Sequence, residues 1–316
     1  MTDMLPPSPD RSLATFVLLA YNQQNYIRRA IEGAFSQNFK QLEIILSDDF
    51  STDHTYDIMS KMAAEYDGPH RVVLNRNNCN LGLVGHFNKV LEMASSEIIV
   101  LAAGDDVSLP DRVSLTSAEL LIDPSVQMIS LGHTLIDDEG KKISSEINAC
   151  GEIASIAEYF SDSGIHPNGA SRGFKKAVFS KFGAMDSECP TEDTTSLLRA
   201  LILGKVKLVP KQGVLYRKHG GNLSRPSSIV KMNLKALLGQ YLSDIDRAGE
   251  QGYLNGSEVK SAITSVTQNV LNRQVKTEMQ ADRAPSLWKL YSAAFRGKFT
   301  IRSRVSMIWH ILQSIF

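Results

Sequence analysis

Short apolar runs alternate with helical patterns from Leu13 onward, and these two periodicities set the expected architecture. Leu13–Ala20, Leu42–Ser47, Arg71–Asn75, Ile98–Ala102 and Val126–Leu131 read as strands, each a brief apolar run bounded by polar or turn residues. Between them Tyr26–Ser36, Thr55–Tyr66, Val84–Ala94 and Pro110–Leu121 read as helices. Phe87, Val90 and Leu91 share one helical face, and Pro110 suits a first helical turn. Strands alternating with helices are βαβ units, so an α/β fold is expected, with a mainly parallel sheet sandwiched by helices.

After Leu131 the alternation loosens. Asp137–Gly140 reads as a hairpin turn and the chain to Arg172 as loop-rich. Lys175–Phe182 and Glu192–Leu203 look helical, and Val206–Val209 and Val214–Arg217 extended. From Ser228 nearly everything is compatible with helix, broken near Gly249–Gly256 and at Pro285. The proline-rich Met1–Ser12 reads as a loose leader, and Leu13–Ala20 as a buried strand instead of a signal-peptide core, because no small-residue cleavage site follows it.

Composition narrows the function classes. Of 316 residues, 43% are hydrophobic and 22% charged, ordinary globular usage that argues against disorder or a polytopic membrane protein. Lysine plus arginine (34) equals aspartate plus glutamate (34), so no uniform field holds a polyanion, and nucleic acid is not expected as a partner. Cys79, Cys150 and Cys189 are widely spaced without a C-x-x-C pair, which fits a reducing compartment. No run approaches the roughly 18 apolar residues that span a bilayer.

Parallel sheets bind ligands at the carboxyl ends of their strands, and there the sequence is unusual. The first strand ends in Tyr21-Asn22, the second in Asp48-Asp49-Phe50-Ser51-Thr52-Asp53, and the fourth runs into Gly104-Asp105-Asp106. An aromatic ring, an acidic cluster and an acidic pair can stack a planar group, accept its N–H bonds and hold a divalent cation. Adjacent carboxylates raise each other's protonation cost unless a cation compensates, and hard oxygen ligands suit Mg²⁺ or Mn²⁺ carrying a diphosphate. Each cluster alone also serves as a turn or helix cap, but caps do not require clusters on successive strands.

The ordered set Tyr21-Asn22, Tyr26-Ile27, Ala30-Ile31, Gln37, Glu43-Ile44-Ile45, Asp48-Asp49-x-Ser51-Thr52-Asp53, Asn80-x-Gly82 and Gly104-Asp105-Asp106 resembles a family 2 glycosyltransferase. That resemblance implies the GT-A fold, a Rossmann-like sheet over 13–225, with a helical C-terminal region over 226–316. It implies that Tyr21 packs on a nucleobase, Asp49 accepts a base N–H, Asp48 supports that loop, Asp106 ligates Mn²⁺ or Mg²⁺, and Asp105 contacts ribose or diphosphate. Ala103 stands where many members have the first aspartate of the metal motif. Pro190-Thr191-Glu192-Asp193 resembles the Glu-Asp motif, implying Asp193 as general base and Glu192 beside the acceptor. Tyr216-Arg217-Lys218-His219-x-x-Asn222-x-Ser224 resembles a later segment in which Arg217 and Lys218 neutralise the leaving diphosphate and His219 completes the metal shell. Ser171, in Gly169-Ala170-Ser171-Arg172, belongs to the wall facing the acceptor on the same reading.

The expected reaction is inverting transfer of a sugar from a nucleoside diphosphate sugar, with uridine the first choice of base, to a hydroxyl of a saccharide or lipid-linked acceptor, as in bacterial polysaccharide biosynthesis. Two alternatives stand beside it, a non-catalytic nucleotide-sugar binder or scaffold and a sugar-phosphate nucleotidyltransferase. The second would want a glycine-rich basic loop where Tyr21-Asn22-Gln23-Gln24-Asn25 stands. Arg283–Phe316 holds six basic residues and no acidic one, which leaves −6 on the first 282. Its aromatic and aliphatic spacing fits an interfacial helix pair from 285, docking a cytoplasmic enzyme on the cytosolic membrane face, or equally amphipathic helices packed on the catalytic domain.

Overall fold

The apolar run beginning at Leu13 forms β1 (Ala14–Ala20), buried over its whole length, as is β2 (Leu42–Asp48). Strands covered on both faces need apolar side chains on both, so they read as runs and not as alternation. The computed structural model describes residues 13–146, 150–160, 167–222 and 232–281; the expected leader, Ser224 and the basic tail lie outside them.

α1 (Ile27–Phe35) leads from β1 to β2, α2 (Thr55–Ala64) from β2 to β3 (Arg71–Arg76), and α3 (Gly82–Met93) from β3 to β4 (Ile98–Ala103). β1 lies between β2 and β4 with all pairings parallel, and β3 is the half-buried edge beyond β2. Phe16, Leu18, Ile31, Ile44, Leu46 and Val100 meet in the core. Glu43 is buried within it, where Oε2 accepts from Thr15 Oγ1 at 2.7 Å and Ser95 N at 2.9 Å, while Oε1 pairs with Arg71. That one carboxylate joins β1, β2, β3 and the turn before β4.

Beyond β4 the sheet becomes mixed. β5 (Val107–Ser108) is short, α4 (Arg112–Ile122) follows it, and β6 (Val126–Ile136) turns back through Asp137–Gly140 into β7 (Lys142–Glu146). β8 (Gly151–Ile153) pairs with the last strand, and α5 (Ile156–Phe160) follows it. A single 3-10 turn at Gly169–Ser171 leads into β9 (Arg172–Lys175), which lies antiparallel between β4 and β6. Then come α6 (Ala177–Ser180), α7 (Asp193–Leu203) and β10 (Lys205–Arg217), the last parallel to β6. The order is β3-β2-β1-β4-β9-β6-β10-β5.

The stretch expected as loop therefore holds two short strands, β7 and β8, and a third, β9, begins at its end. β9 has only four residues, too few to show a period, and one is Gly173, where a Cβ would stand 2.3 Å from Thr116 Cγ2. The helix expected from Lys175 starts only at Ala177, because Lys175 still pairs with Ile98. The two extended segments expected near the end are one strand, β10, whose register slips between Val209 and Gln212, where Pro210 has no N–H for the ladder.

The described residues fall into two compact units, one within Met1–Ile153, Pro167–Ser187 and Thr191–Gly220, the other within Ala154–His166, Glu188–Pro190 and Gly221–Phe316. The second contains α5 and the helices Leu234–Glu250 and Gly256–Ala281. Leu237, Tyr241, Ile245, Ala262, Val266 and Val270 are buried there, and Tyr241 meets Phe160 edge-on at 5.5 Å. Asn255 caps the last helix, its side-chain oxygen accepting from Ser257 N and Glu258 N while its own backbone N–H donates to Glu258 Oε2. No helix among the described residues is long and apolar enough to cross a membrane.

Candidate functional site

The registers Ala20↔Asp48 and Leu19↔Ala103 bring β1, β2 and β4 to an end on one edge, so their polar ends become neighbours. Two of those ends are sewn together. Asn22 N donates to Ser51 Oγ and Thr52 N to Asn22 Oδ1, both at 2.9 Å, and Gln23 N reaches Thr55 Oγ1 at 2.7 Å. Asp48 is fully buried; its carboxylate accepts from Ser51 N at 3.0 Å and from the Ser51 hydroxyl, with Arg76 alongside at 3.5 Å. These bonds brace the turn from Asp48 to Ser51. Asp49 Oδ1 accepts from Asn77 Nδ2 at 2.8 Å and Leu81 N at 2.9 Å. Tyr21 and Phe50 stay exposed on either side of this pair in sequence, and Phe50 adopts φ 64°, a left-handed conformation rare for a bulky residue.

At the end of β4 the two acidic neighbours face different ways. Asp106 points inward, 3% exposed, and Oδ1 accepts from Arg217 N at 2.8 Å. Burial, then the charge of Asp105, raises its pKa well above the carboxylate range. Asp105 instead meets His219, Oδ2 to Nε2 at 2.8 Å, with both side chains partly accessible. The Tyr26 ring lies 4.8 Å from the imidazole of His219 and 5.1 Å from the Arg217 guanidinium. Tyr26 donates its hydroxyl to Asp138, and that bond, helped by burial, pushes its pKa up to about 12.

One expectation changes here. Arg217, expected at the diphosphate, is 1% exposed, and its guanidinium donates to the carbonyls of Asp105, Asp137 and Asp138 at 2.9–3.0 Å. It holds the β6–β7 turn against the end of β4, which leaves Lys218 as the exposed cation of that segment. Of the two residues expected at the metal, Asp106 accepts from the backbone of β10 through Oδ1, and His219 faces Asp105.

The third element is the start of α7. Asp193 Oδ1 accepts from Thr194 N and Thr191 Oγ1, each at 2.5 Å, while Oδ2 faces Gly169, lying 3.1 Å from where a Cβ on that residue would be. Arg172 donates one arm to the Asp193 carbonyl and the other to Pro167 O at 2.8 Å. Ser171, expected on the acceptor wall, is wholly buried and donates to Leu131 O at 2.6 Å; Gly169 is the residue that meets the carboxylate.

Arg112 joins these parts. It is entirely buried and donates to Ser108 Oγ at 2.8 Å, Leu101 O at 2.5 Å, Ala170 O at 2.9 Å and Arg172 O at 3.3 Å. Burial lowers its pKa to about 10 against the opposing pull of Asp106. The acidic pair and the loop under Asp193 thus share one buried cation. Sequence reasoning overlooked Arg112, although it sits one and two helical repeats before Thr116 and Leu120 on the buried stripe of α4, a position that signals an internal arginine.

Glu192 Oε2 is buried without a hydrogen-bond partner. Burial, then the neighbouring Asp193 charge, raises the Glu192 pKa from 4.5 to about 7. Between these values the unfolded chain sheds a proton that the folded chain keeps, so folding stability is expected to fall as pH rises from 4.5 to about 7. Glu192→Gln cannot lose that proton. Urea unfolding across this window should show the decline flattened in the variant, and an identical slope in both proteins would refute the assignment.

Among the described residues no group of three or more His, Cys, Asp or Glu side chains could enclose a metal ion. The Asp105 carboxylate, with His219 beside it, does fit an ion whose remaining ligands are water and phosphate oxygens, since carboxylate oxygen suits Mg²⁺ and Mn²⁺ and such sites use one or two carboxylates with substrate phosphates.

Comparison with known proteins follows the same lines. Residues 15–178 match the profile of Glycosyl transferase family 2, a segment that includes Tyr21, Asp49 and Asp105 and stops before Asp193. EpsE of Bacillus subtilis (strain 168) is 34% identical over 120 residues, 38% of this chain and 42% of that protein. The Escherichia coli UDP-Glc:alpha-D-GlcNAc-diphosphoundecaprenol beta-1,3-glucosyltransferase WfaP is 33% identical over 102 residues, 32% of this chain and 39% of its own length. The matches thus span about two fifths of these relatives. Among solved structures, S. aureus TarS 1-349 superposes with a TM-score of 0.57 at 13% identity, covering 96% of this chain and 80% of that one. The Pyrobaculum calidifontis mannosyltransferase PcManGT, in complex with GDP-Man and Mn²⁺, gives 0.57 at 15% identity, covering 99% and 84%. These likenesses are of fold, and the profile covers more than half of the sequence: the chain belongs to glycosyl transferase family 2.

Proposed function

We propose that this chain transfers a glycosyl group from a nucleoside diphosphate sugar to a hydroxyl of a saccharide or lipid-linked acceptor, with inversion at the anomeric carbon. The observation that carries the reading is the state of Asp193, one oxygen held by two donors and the other left facing Gly169. A general base needs that division, since the held oxygen sets the direction of the free one. Asp49 accepts a base N–H, with Tyr21 exposed to stack on the ring, and Lys218 is the cation available to the departing diphosphate. Asp105 and His219 would hold Mn²⁺ or Mg²⁺, which supplies positive charge where the leaving group gains negative charge. Asp193 takes the acceptor proton as the hydroxyl attacks the face opposite the leaving group. The activity for which WfaP is named supports a uridine donor and a diphosphoundecaprenol-linked acceptor, and TarS has been solved with UDP-GlcNAc.

Calorimetry on the full chain tests the donor half. UDP is expected to bind more tightly with Mn²⁺ than without, and Asp105→Asn to remove that gain while its Mn²⁺-free affinity stays near that of the wild type. A variant that keeps the full Mn²⁺ effect rejects Asp105 as the ligand. Release of UDP from a UDP-sugar by the wild type distinguishes a transferase from a non-catalytic binder.

A further inference from the structure

Behind the nucleotide loop runs a row of buried and half-buried polar side chains that the chemistry above does not use. His86, on α3, is 3% exposed, and its Nε2 lies 2.6 Å from Ser47 Oγ near the end of β2. Asn75 Nδ2 donates to the same Ser47 oxygen at 2.9 Å and to Asn77 Oδ1 at 3.0 Å. Asn77 Nδ2 in turn donates to Asp49 Oδ1 at 2.8 Å. Four contacts thus connect a helix-borne imidazole to the carboxylate read above as the base acceptor.

The polarity of the row follows from its end. An ionised carboxylate only accepts, so Asn77 must present its amide nitrogen to Asp49 and its oxygen to Asn75. Asn75 then gives its two hydrogens to Asn77 and Ser47. The Ser47 hydroxyl is fully buried, and its own hydrogen has the unprotonated Nε2 of His86 as its acceptor. Burial lowers the His86 pKa, opposed by the charges of Asp49 and Asp48, and so favours the neutral ring that this pattern needs. The result at the far end is one fixed rotation of Asp49, with Oδ1 taken by Asn77 and Leu81 and Oδ2 left to accept.

We propose that His86 is a positioning residue for nucleobase selection: acting through Ser47, Asn75 and Asn77, it aims the free oxygen of Asp49 at a ring N–H. Uracil and guanine carry such a hydrogen, whereas cytosine presents a bare ring nitrogen whose lone pair opposes a carboxylate. A site built around a buried acceptor rejects a ligand that leaves it unpaired far more strongly than an apolar pocket does. The proposal rests on the reading of Asp49 as base acceptor.

The test is calorimetry of the full chain with UDP, GDP and CDP in the presence of Mn²⁺. Wild type is expected to bind the tighter of UDP and GDP at least about tenfold better than CDP, a hydrogen-bond-sized discrimination. His86→Ala and Ser47→Ala should each shrink that ratio to about threefold or less with CDP affinity nearly unmoved, and the double variant should do no more than either single change, as for members of one network. His86→Gln, whose Oε1 can accept from Ser47, should restore the ratio. Melting curves identify any variant that fails to fold, in which case Ser47→Ala carries the same measurement. A ratio unchanged in His86→Ala or, where that protein does not fold, in Ser47→Ala overturns the proposal. Asp49→Asn separates the two ideas. If it abolishes the preference while the His86 and Ser47 variants keep it, only the relay is wrong; if it keeps the preference, or if wild type has none, the reading of Asp49 fails and the relay with it.

Discussion

Asp193→Asn is expected to lower kcat by at least about a hundredfold, the usual loss on removing a general base, while the affinity for UDP stays close to that of the wild type. The amide has the shape of the carboxylate, so Thr194 N and Thr191 Oγ1 can still hold its oxygen and the start of α7 is undisturbed. What changes is the group facing Gly169, which becomes an NH₂ with no lone pair for the acceptor proton. Since that interaction forms only as the hydroxyl attacks, kcat and kcat/KM should fall together. Steady-state kinetics with a UDP titration on the same preparation decides the matter, and near-normal turnover would exclude Asp193 as the base.

Arg112→Met is expected to destabilise the fold by about 3–5 kcal/mol, the range found when one partner of a buried charge pair is removed. Methionine nearly fills the same length, so a void is not the main cause. The loss comes from three carbonyls, of Leu101, Ala170 and Arg172, left short of a donor, and from Asp106 deprived of one of the two buried cations that favour its charged form. Arg112→Lys should recover little, because one ammonium cannot reach oxygens that the planar fork meets in several directions. Each kcal/mol should appear as roughly 2–4 °C in the melting temperature. Thermal and urea unfolding provide the check, and a melting point within about a degree of the wild type would show that the arginine is dispensable. Because Arg112 touches both the strand that ends in the acidic pair and the loop beneath Asp193, the folded fraction of this variant should also turn over more slowly.

Much of the architecture was legible because its causes are local. β1, β2 and β4 are buried on both faces, which forces unbroken apolar runs, and a parallel sheet forces its polar ligand groups to the strand ends, where Tyr21, Asp49 and Asp105 are found. β9 was not legible, since four residues with a glycine carry no period and only their neighbours β4 and β6 make them a strand.

The chemistry divides in the same way. Residue types and spacing determined that carboxylates gather at successive strand ends and at the start of α7, and it was the family resemblance carried by those residues that implied a nucleotide sugar and a base. Which carboxylate faces which partner was decided only in three dimensions. Asp105 and Asp106 are adjacent in the chain, yet one meets His219 and the other the backbone of β10; Arg217 and Ser171 turn inward, and within Gly169–Arg172 it is Gly169 that lies against the Asp193 carboxylate. The physical reason is that a side chain's direction and burial are set by segments a hundred or more residues away, such as the β10 amide that captures Asp106 across 111 positions, and no short-range pattern encodes such a contact.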